Sequence, residues 1–479
     1  MTAVSEIETM THMPLLRWGQ PYRSLDVQVV RDCRTGQELA AMSVANAGLV
    51  RRDLRGAAAG RAALRAMGAA ARLAASERAA ALYMTGDLPA GDGDSLQGAA
   101  DYVRQLAATS GLPHALVRAN MEKLRHVLVN MPTILAGLTR GLDPAILDRG
   151  HGEQAGLAVA FAPTTEVLGA VLPSNSPGVN SLWLPALALG IPVALKPGRE
   201  EPWTPWRLIQ ALIAAGLPAA AFGFYPTDHE GADAIVRGCG RALVFGDRSV
   251  AERYAGNPAV EVHGPGHSKV VIGADCVDHW QDYLDVLVES VAGNGGRSCV
   301  NASAILLPRH ADALAAALAE RLATLQPRAV DDPAAGLAAF ANPSVAEAID
   351  RSLTVGLETP GARCLSPSPR RVERDGVSYL LPTVVRCGAG HPLADREFLF
   401  PYCSVVECSE DDLVASLGHS LAVTLISRDP ALIAAVVAAP QVHRVNIGPV
   451  ATSRVAWDQP HEGNLFDFLY TRRAVQAGW

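Results

Sequence analysis

The chain has no Cys-x-x-Cys pair and no cluster of cysteine and histidine at metal-ligand spacing. Its eight cysteines are scattered, which fits free thiols in a reducing cytoplasm rather than a disulfide framework, and no metal site is expected. There is no excess of positive charge. With 41 Lys and Arg against 48 Asp and Glu, the net charge of −7 gives no electrostatic reason to bind nucleic acid or an anionic membrane. Met1 to Gln20 lacks a continuous apolar core behind a basic start, so no secretory signal is predicted. No GxGxxG fingerprint occurs, which removes the standard Rossmann pyrophosphate loop. Val167 to Leu195 carries no charge and has the length of a membrane span. Pro173, Pro177, Pro185 and Pro192, with Asn175 and Asn180, argue against a span and for a buried strand–loop–helix–strand run.

What is present is the composition of a globular protein. Hydrophobic residues make up 49% and charged residues 19% of 479, too long a chain for one simple core, so two or three domains are expected. Residues 26–40 read as a strand pair turning at Asp32–Gly36. Val50 to about Tyr83 has helical spacing and good helix formers, and further helices are predicted over 97–109 and 113–138. From Val167 onward short apolar strands alternate with helices: Val167–Leu172, Pro192–Leu195, Ala219–Tyr225 and Ala242–Phe245, then Val270–Ile272 and Ala302–Leu307. Such alternation indicates parallel sheets with helical crossovers in two α/β domains. Ligands of such sheets sit at the carboxyl ends of the strands, and the loops beginning at Pro173, Lys196 and Gly246 leave strands there. Pro367–Asp375 reads as a polar, basic surface loop, and Trp457–Trp479 as an interface segment rather than a free tail.

The stretch Asn294-Gly-Gly-Arg-Ser-Cys-Val-Asn-Ala-Ser303 centres on Cys299. Glycines let backbone approach a ligand closely, and a cysteine on such a loop can be reached by substrate. Taken alone, the stretch fits a nucleophile and a packed thiol equally.

Taken in order, these residues resemble the aldehyde dehydrogenase superfamily over nearly the whole chain, and within it the branch of acyl-CoA reductases. The resemblance implies two Rossmann-type, three-layer α/β/α domains plus a small oligomerisation element. Residues 1–137 and 163–262 would form the dinucleotide-binding domain, 263–452 the catalytic domain, and 138–162 with 453–479 the oligomerisation element. It also implies a homodimer or homotetramer, and aldehyde, acyl-CoA and CoA as substrates. Pro173-Ser-Asn-Ser-Pro177 is similar to the family's Pro-Trp-Asn-Phe-Pro, so Asn175 would donate to the oxyanion, and Ser174 stands among the cofactor-binding residues in place of tryptophan. Lys196, in Ala-Leu-Lys-Pro-Gly-Arg, would touch the adenosine ribose. Arg199 falls where many NAD-preferring members carry a ribose-binding glutamate, so NADP is preferred over NAD; Glu200 could take that place instead. Gly246, in Leu-Val-Phe-Gly-Asp247, would begin the turn under the pyrophosphate, although Asp247 replaces the family's serine. The cysteine loop is similar to Asn-Gln-Gly-Gln-Cys-Cys, with Cys299 as nucleophile. Glu397-Phe-Leu-Phe-Pro401 is similar to Glu-Ile-Phe-Gly-Pro, so Glu397 would hold the nicotinamide ribose, with Phe400 in place of glycine. Asn446 and Pro460-His-Glu-Gly463 match a late region near the substrate tunnel and give His461 and Glu462 no role.

The base position is the main departure. Hydrolytic members carry a glutamate before Gly-Gly-Lys-Ser-Pro; here Glu261-Val-His-Gly-Pro-Gly-His-Ser-Lys269 puts His263 there, with Glu261 two residues early. A CoA thiol resolving the acyl-enzyme would not need that carboxylate. A hydrolytic dehydrogenase using His263 or Glu261, and a non-catalytic scaffold of the same fold, remain the competing readings.

Overall fold

The computed structural model describes residues 10–476; residues 1–9 and 477–479, which the domain and C-terminal expectations include, lie outside them. The chain divides into two compact units. One takes in Met1–Ser110, Val117–His263 and Ala456–Trp479, the other Gly111–Leu116 and Gly264–Val455.

The first unit is built on a seven-stranded sheet. Its order is Val260–His263, Arg241–Phe245, Leu168–Val171, Val193–Lys196, Phe222–Phe224, Leu15–Arg17, Gln20–Tyr22. The first five strands are parallel and the last two join antiparallel. Leu168, Val193, Phe222 and Ala242 are buried, as expected of strands covered on both faces by helices. Strand order reverses beside Leu168–Val171, because the next strand in sequence pairs on one side and Arg241–Phe245 on the other. The chain therefore splays apart at the carboxyl ends after Val171 and Phe245, where doubly wound sheets bind ligands.

The uncharged run of the sequence is the strand Leu168–Val171, a 3-10 turn Pro177–Leu182, the helix Leu184–Ala188 and the strand Val193–Lys196. Among the described residues no helix is long and apolar enough to cross a membrane. The helical stretch from Val50 is interrupted: Ala47–Leu54, Ala57–Met67 and Ala69–Thr85 are separate helices. Gly68, at φ +81°, breaks the last two apart, and its left-handed backbone is one that glycine adopts without a Cβ clash. The strand pair at the start is Val27–Arg31 with Glu38–Ser43. Near the end, Tyr470–Arg472 joins His151–Gln154 and Leu157–Pro163 in a three-stranded sheet.

The second unit has its own seven-stranded sheet, ordered Ala362–Cys364, Thr383–Gly388, Tyr402–Glu407, Ala304–Leu307, Lys269–Ile272, Ser420–Ile426, Val442–Ile447. All pairs are parallel except the first. The expected loop over Pro367–Asp375 instead contains a strand, Arg371–Arg374, paired with Val377–Leu380. Asp375 and Gly376 both have positive φ there, so the polar residues belong to a tight hairpin turn.

Candidate functional site

In the first unit, the loops leaving the sheet at the switch point enclose a cleft of about 530 Å³. Ser174, Lys196, Arg199 and Glu200 line it together with Phe245 and Tyr254. Lys196 ends its strand half-buried, and burial pushes its ammonium below the usual lysine range, with Glu200 partly opposing. The Ser174 hydroxyl accepts the Glu200 N–H at 3.3 Å, tying the loop after Pro173 to the loop after Lys196. Gly198 lies between them, where a Cβ would stand 2.4 Å from the Pro173 carbonyl oxygen. Asn175 follows Ser174 in the chain and is partly buried.

Gly246 directly follows the strand Arg241–Phe245. Its N–H donates to the His263 carbonyl at 3.2 Å, and a Cβ there would meet Val250 at 2.5 Å. Asp247 caps the short helix Arg248–Tyr254 by accepting the Ser249 N–H at 3.0 Å, and its hydrogen bonds hold its carboxyl below the usual range. Those amides are spent on the protein's own carboxylate. Lys196 and Arg199 are cations lining the cleft, the kind of side chain that could hold the phosphates of a dinucleotide.

His263 ends the strand Val260–His263 and is 7% exposed. Its ring stacks on Phe245 with centroids 4.9 Å apart. Its Nδ1 lies 2.6 Å from Glu462 Oε2, while its Nε2 is buried with no hydrogen-bond partner. Burial alone would lower the imidazole, but the hydrogen bond and charge of Glu462, aided by Glu261, raise it overall. Glu261 is itself pushed up by burial and by Glu462.

In the second unit, the residues of interest gather at the amino edge of the sheet. Gly264–Ser268, the cysteine loop and Glu397–Pro401 each lead into one of three neighbouring parallel strands. Asn294, Gly295 and Gly296 all have positive φ, so the chain coils tightly before Cys299. Asn294 Nδ2 donates to Ser298 Oγ at 3.0 Å, and Asn301 Oδ1 accepts the Ser298 N–H at 2.9 Å. Asn301 Nδ2 donates in turn to the carbonyls of Ser290 and Gly293. The Cys299 carbonyl accepts from Ser268 Oγ at 2.9 Å, and the same oxygen would lie 2.0 Å from a Cβ on Gly266. Glu397 accepts the His267 N–H at 2.6 Å, and burial pushes its carboxyl up to about 8. It thus braces the turn beneath Cys299. Arg444, in register with Ala422 on the neighbouring strand, lies within electrostatic reach of Cys299. Burial pushes the Arg444 guanidinium down, with Cys299 opposing.

Cys299 is partly exposed, whereas Cys239, Cys276, Cys387, Cys403 and Cys408 are buried and their thiols are pushed up by burial. Among the described residues no group of three potential ligands could hold a metal. The sequence marked the stretch of Glu462 but gave it no role, and it did not single out Arg444: Glu462 meets His263 across 199 positions, and no spacing rule spans that.

The sequence model of the Aldehyde dehydrogenase family matches residues 24–464. The chain belongs to the aldehyde dehydrogenase family. Among curated relatives of this family, N-succinylglutamate 5-semialdehyde dehydrogenase of Vibrio cholerae is 26% identical over 61% of this chain and 64% of its own. A 2-aminomuconic 6-semialdehyde dehydrogenase of a Pseudomonas species is 28% identical over 46% of this chain and 45% of its own. The chain thus matches under two thirds of the length of these relatives. The crystal structure of an indole-3-acetaldehyde dehydrogenase with NAD+ superposes with a TM-score of 0.80 at 18% identity, covering 98% of this chain and 97% of that one. An aldehyde dehydrogenase from Burkholderia cenocepacia gives 0.77 at 17% identity, covering 98% and 99%. At these identities the structures establish the aldehyde dehydrogenase fold.

Proposed function

We propose that this chain is an NAD(P)-dependent oxidoreductase that interconverts an aldehyde and an acyl thioester through Cys299, with CoA as the acyl acceptor. The observation that carries the reading is the base position, where the side chain is His263, bound to Glu462 at 2.6 Å, and not a carboxylate. Water is a poor nucleophile at neutral pH and needs a strong local base, whereas a thiol is partly ionised and far more nucleophilic.

Cys299 attacks the carbonyl carbon, and the Asn175 amide donates to the oxyanion. A single such donor contributes about 3–4 kcal/mol. The dinucleotide, when bound, takes or supplies the hydride. Lys196, Arg199 and Ser174 hold its adenosine end in the cleft of the first unit, with the turn at Gly246 beside them. Arg199 favours the 2′-phosphate of NADP over the free hydroxyl of NAD. Glu397 serves the nicotinamide ribose. The chain assembles as a homodimer or homotetramer through residues 138–162 and 453–479. That the curated relatives are named for semialdehydes supports an aldehyde as the reduced partner.

Glu261 favours a second reading, hydrolysis to a free acid, because it is a carboxyl with a raised pKa beside Glu462 and His263. One experiment separates the two. Enzyme with aldehyde and oxidised dinucleotide but no CoA is expected to give one burst of reduced cofactor, then stall until CoA is added. Sustained release of free acid without CoA would replace the first reading with the second.

A further inference from the structure

We propose that Lys269 is a positioning residue for Cys299: its buried ammonium, anchored on Asp395, holds the turn whose Ser268 hydroxyl fixes the Cys299 backbone. The inference deepens the proposed function, on which it rests for the role of Cys299 but not for the contact itself. All of its residues belong to the second unit.

Lys269 opens the strand Lys269–Ile272, whose other residues, Val270, Val271 and Ile272, are apolar and buried. A lysine is out of pattern there. It is 1% exposed, and a buried ammonium is costly unless its donors are met. An ammonium has three donors. Here Nζ meets three acceptors: the His267 carbonyl at 2.8 Å, Ser420 Oγ at 3.1 Å and Asp395 Oδ1 at 2.9 Å. Burial pushes the ammonium down, and Asp395 and then Glu397 oppose that. The Asp395 side chain is 59% exposed, so the interior charge is balanced by a carboxylate at the surface. Packing alone needs none of these bonds.

The His267 carbonyl is the informative partner. His267 has φ +43°, a left-handed backbone that a residue with a Cβ rarely adopts and that persists only where its surroundings impose it. Both of its backbone polar groups are held. The N–H donates to Glu397 at 2.6 Å, and the carbonyl accepts from Lys269, with Ser420 Oγ also at 3.1 Å. The next residue, Ser268, is fully buried. Its Oγ donates to the Cys299 carbonyl at 2.9 Å and accepts the Ala422 N–H at 3.2 Å. Its own carbonyl accepts the Ser303 N–H at 2.8 Å. The turn therefore touches the cysteine loop at Cys299 and again at Ser303. Without the ammonium the His267 peptide loses its charged donor. Its φ can then relax, and the Ser268 hydroxyl shifts from the Cys299 carbonyl. Lys269 acts through His267 and Ser268, as a positioning residue does.

The test compares the full-length wild type with Lys269→Met, which keeps the stem and removes the ammonium, and with Asp395→Ala at the exposed end of the pair. Four readouts are taken: kcat and KM for the aldehyde, the rate of iodoacetamide alkylation of Cys299, hydrogen exchange of the peptide carrying His267 and Ser268, and Tm. Lys269→Met is expected to lower kcat by about tenfold to a hundredfold, with KM within about twofold, and to alter the alkylation rate by about threefold or more. Exchange in the turn should speed up. Asp395→Ala should move each readout the same way by a smaller factor, which keeps the test decisive if the methionine variant fails to fold. A lower Tm with unchanged kcat and alkylation of the folded protein would make the ion pair structural only and overturn the proposal. A lower kcat with unchanged alkylation and exchange would overturn it as well, because Lys269 would then act by some route other than Cys299. If Cys299→Ala retained turnover, the proposed function would fail separately. Alkylation in Lys269→Met would still decide whether Lys269 positions that side chain.

Discussion

Gly266→Ala tests whether the turn before Ser268 sets the position of Cys299. Gly266 has an ordinary φ, so the substitution brings no backbone penalty and acts only through space. The added Cβ would stand 2.0 Å from the Cys299 carbonyl oxygen and 3.2 Å from its Cβ. Ordinary contact begins at about 3.5 Å, so one side must retreat by more than about 1 Å. The Gly266 side is held, since its carbonyl accepts the Leu421 N–H at 2.7 Å and its neighbour His267 is bound to Glu397. The Cys299 side is crowded too, because Gly296 already lies with its Cβ direction 2.3 Å from the Phe400–Pro401 backbone. The strain should cost about 1–3 kcal/mol of stability, and a displacement of 1 Å at a nucleophile costs about a hundredfold in rate. The assay is aldehyde turnover together with the rate of iodoacetamide labelling of Cys299, read by peptide mass spectrometry. Gly390→Ala is the control, since a Cβ there meets nothing within 4 Å. A Gly266→Ala protein with wild-type turnover and labelling would refute the claim that this contact positions Cys299.

Cys299→Ala should abolish turnover while leaving dinucleotide affinity, measured by fluorescence titration, within about twofold; substantial remaining activity would remove Cys299 as nucleophile. Arg199→Ala should weaken NADPH by about tenfold to a hundredfold and NADH far less, the loss of a charge-assisted hydrogen bond; equal losses would transfer the ribose position to Glu200. Arg207→Met should destabilise the first unit, because the fully buried guanidinium donates to the carbonyls of Tyr83, Gly86 and Gln97. Leaving three carbonyls bare costs about 3 kcal/mol or more, a fall in Tm of roughly 6 °C or more by thermal denaturation.

The strand–helix alternation was legible because it rests on local patterns: apolar runs of strand length, prolines at their ends, and helix formers between. The tight backbone before Cys299 was legible because glycine and asparagine, which adopt positive φ readily, crowd ahead of it. The break at Gly68 was missed, since an isolated glycine in an alanine-rich stretch is compatible with a continuing helix and only its φ decides. The hairpin at Arg371–Arg374 was missed because a charged two-stranded ribbon at the surface has little apolar alternation to reveal it. Asp247 was readable in part: aspartate before a helix is a strong N-cap, and its side chain indeed turns back onto Ser249 and Val250. Glu462 and Arg444 were beyond reach, because their positions depend on pairing between segments far apart in the chain.

The four departures from the family pattern bear on whether the fold could be a non-catalytic scaffold. Three are absorbed by their surroundings. Ser174 accepts from Glu200, Asp247 caps its helix, and Phe400 is 3% exposed and packs beside Phe398 and Tyr402. His263 differs from these. Its Nδ1 is satisfied and its ring is stacked, yet Nε2 is left bare in the interior. A scaffold gains nothing from an orphaned ring nitrogen and could relieve its cost of about 1–3 kcal/mol with an apolar side chain. A buried group without a partner needs an explanation, and among the described residues His263 Nε2 shares that state with others such as Glu201 Oε2 and the Tyr225 hydroxyl, so the substitution has to decide between packing and chemistry. His263→Phe should then stabilise the first unit or leave its Tm unchanged if Nε2 is the dominant defect, while discharge of the acyl-enzyme falls about a hundredfold. A Phe variant that discharges at the wild-type rate would return His263 to a packing role.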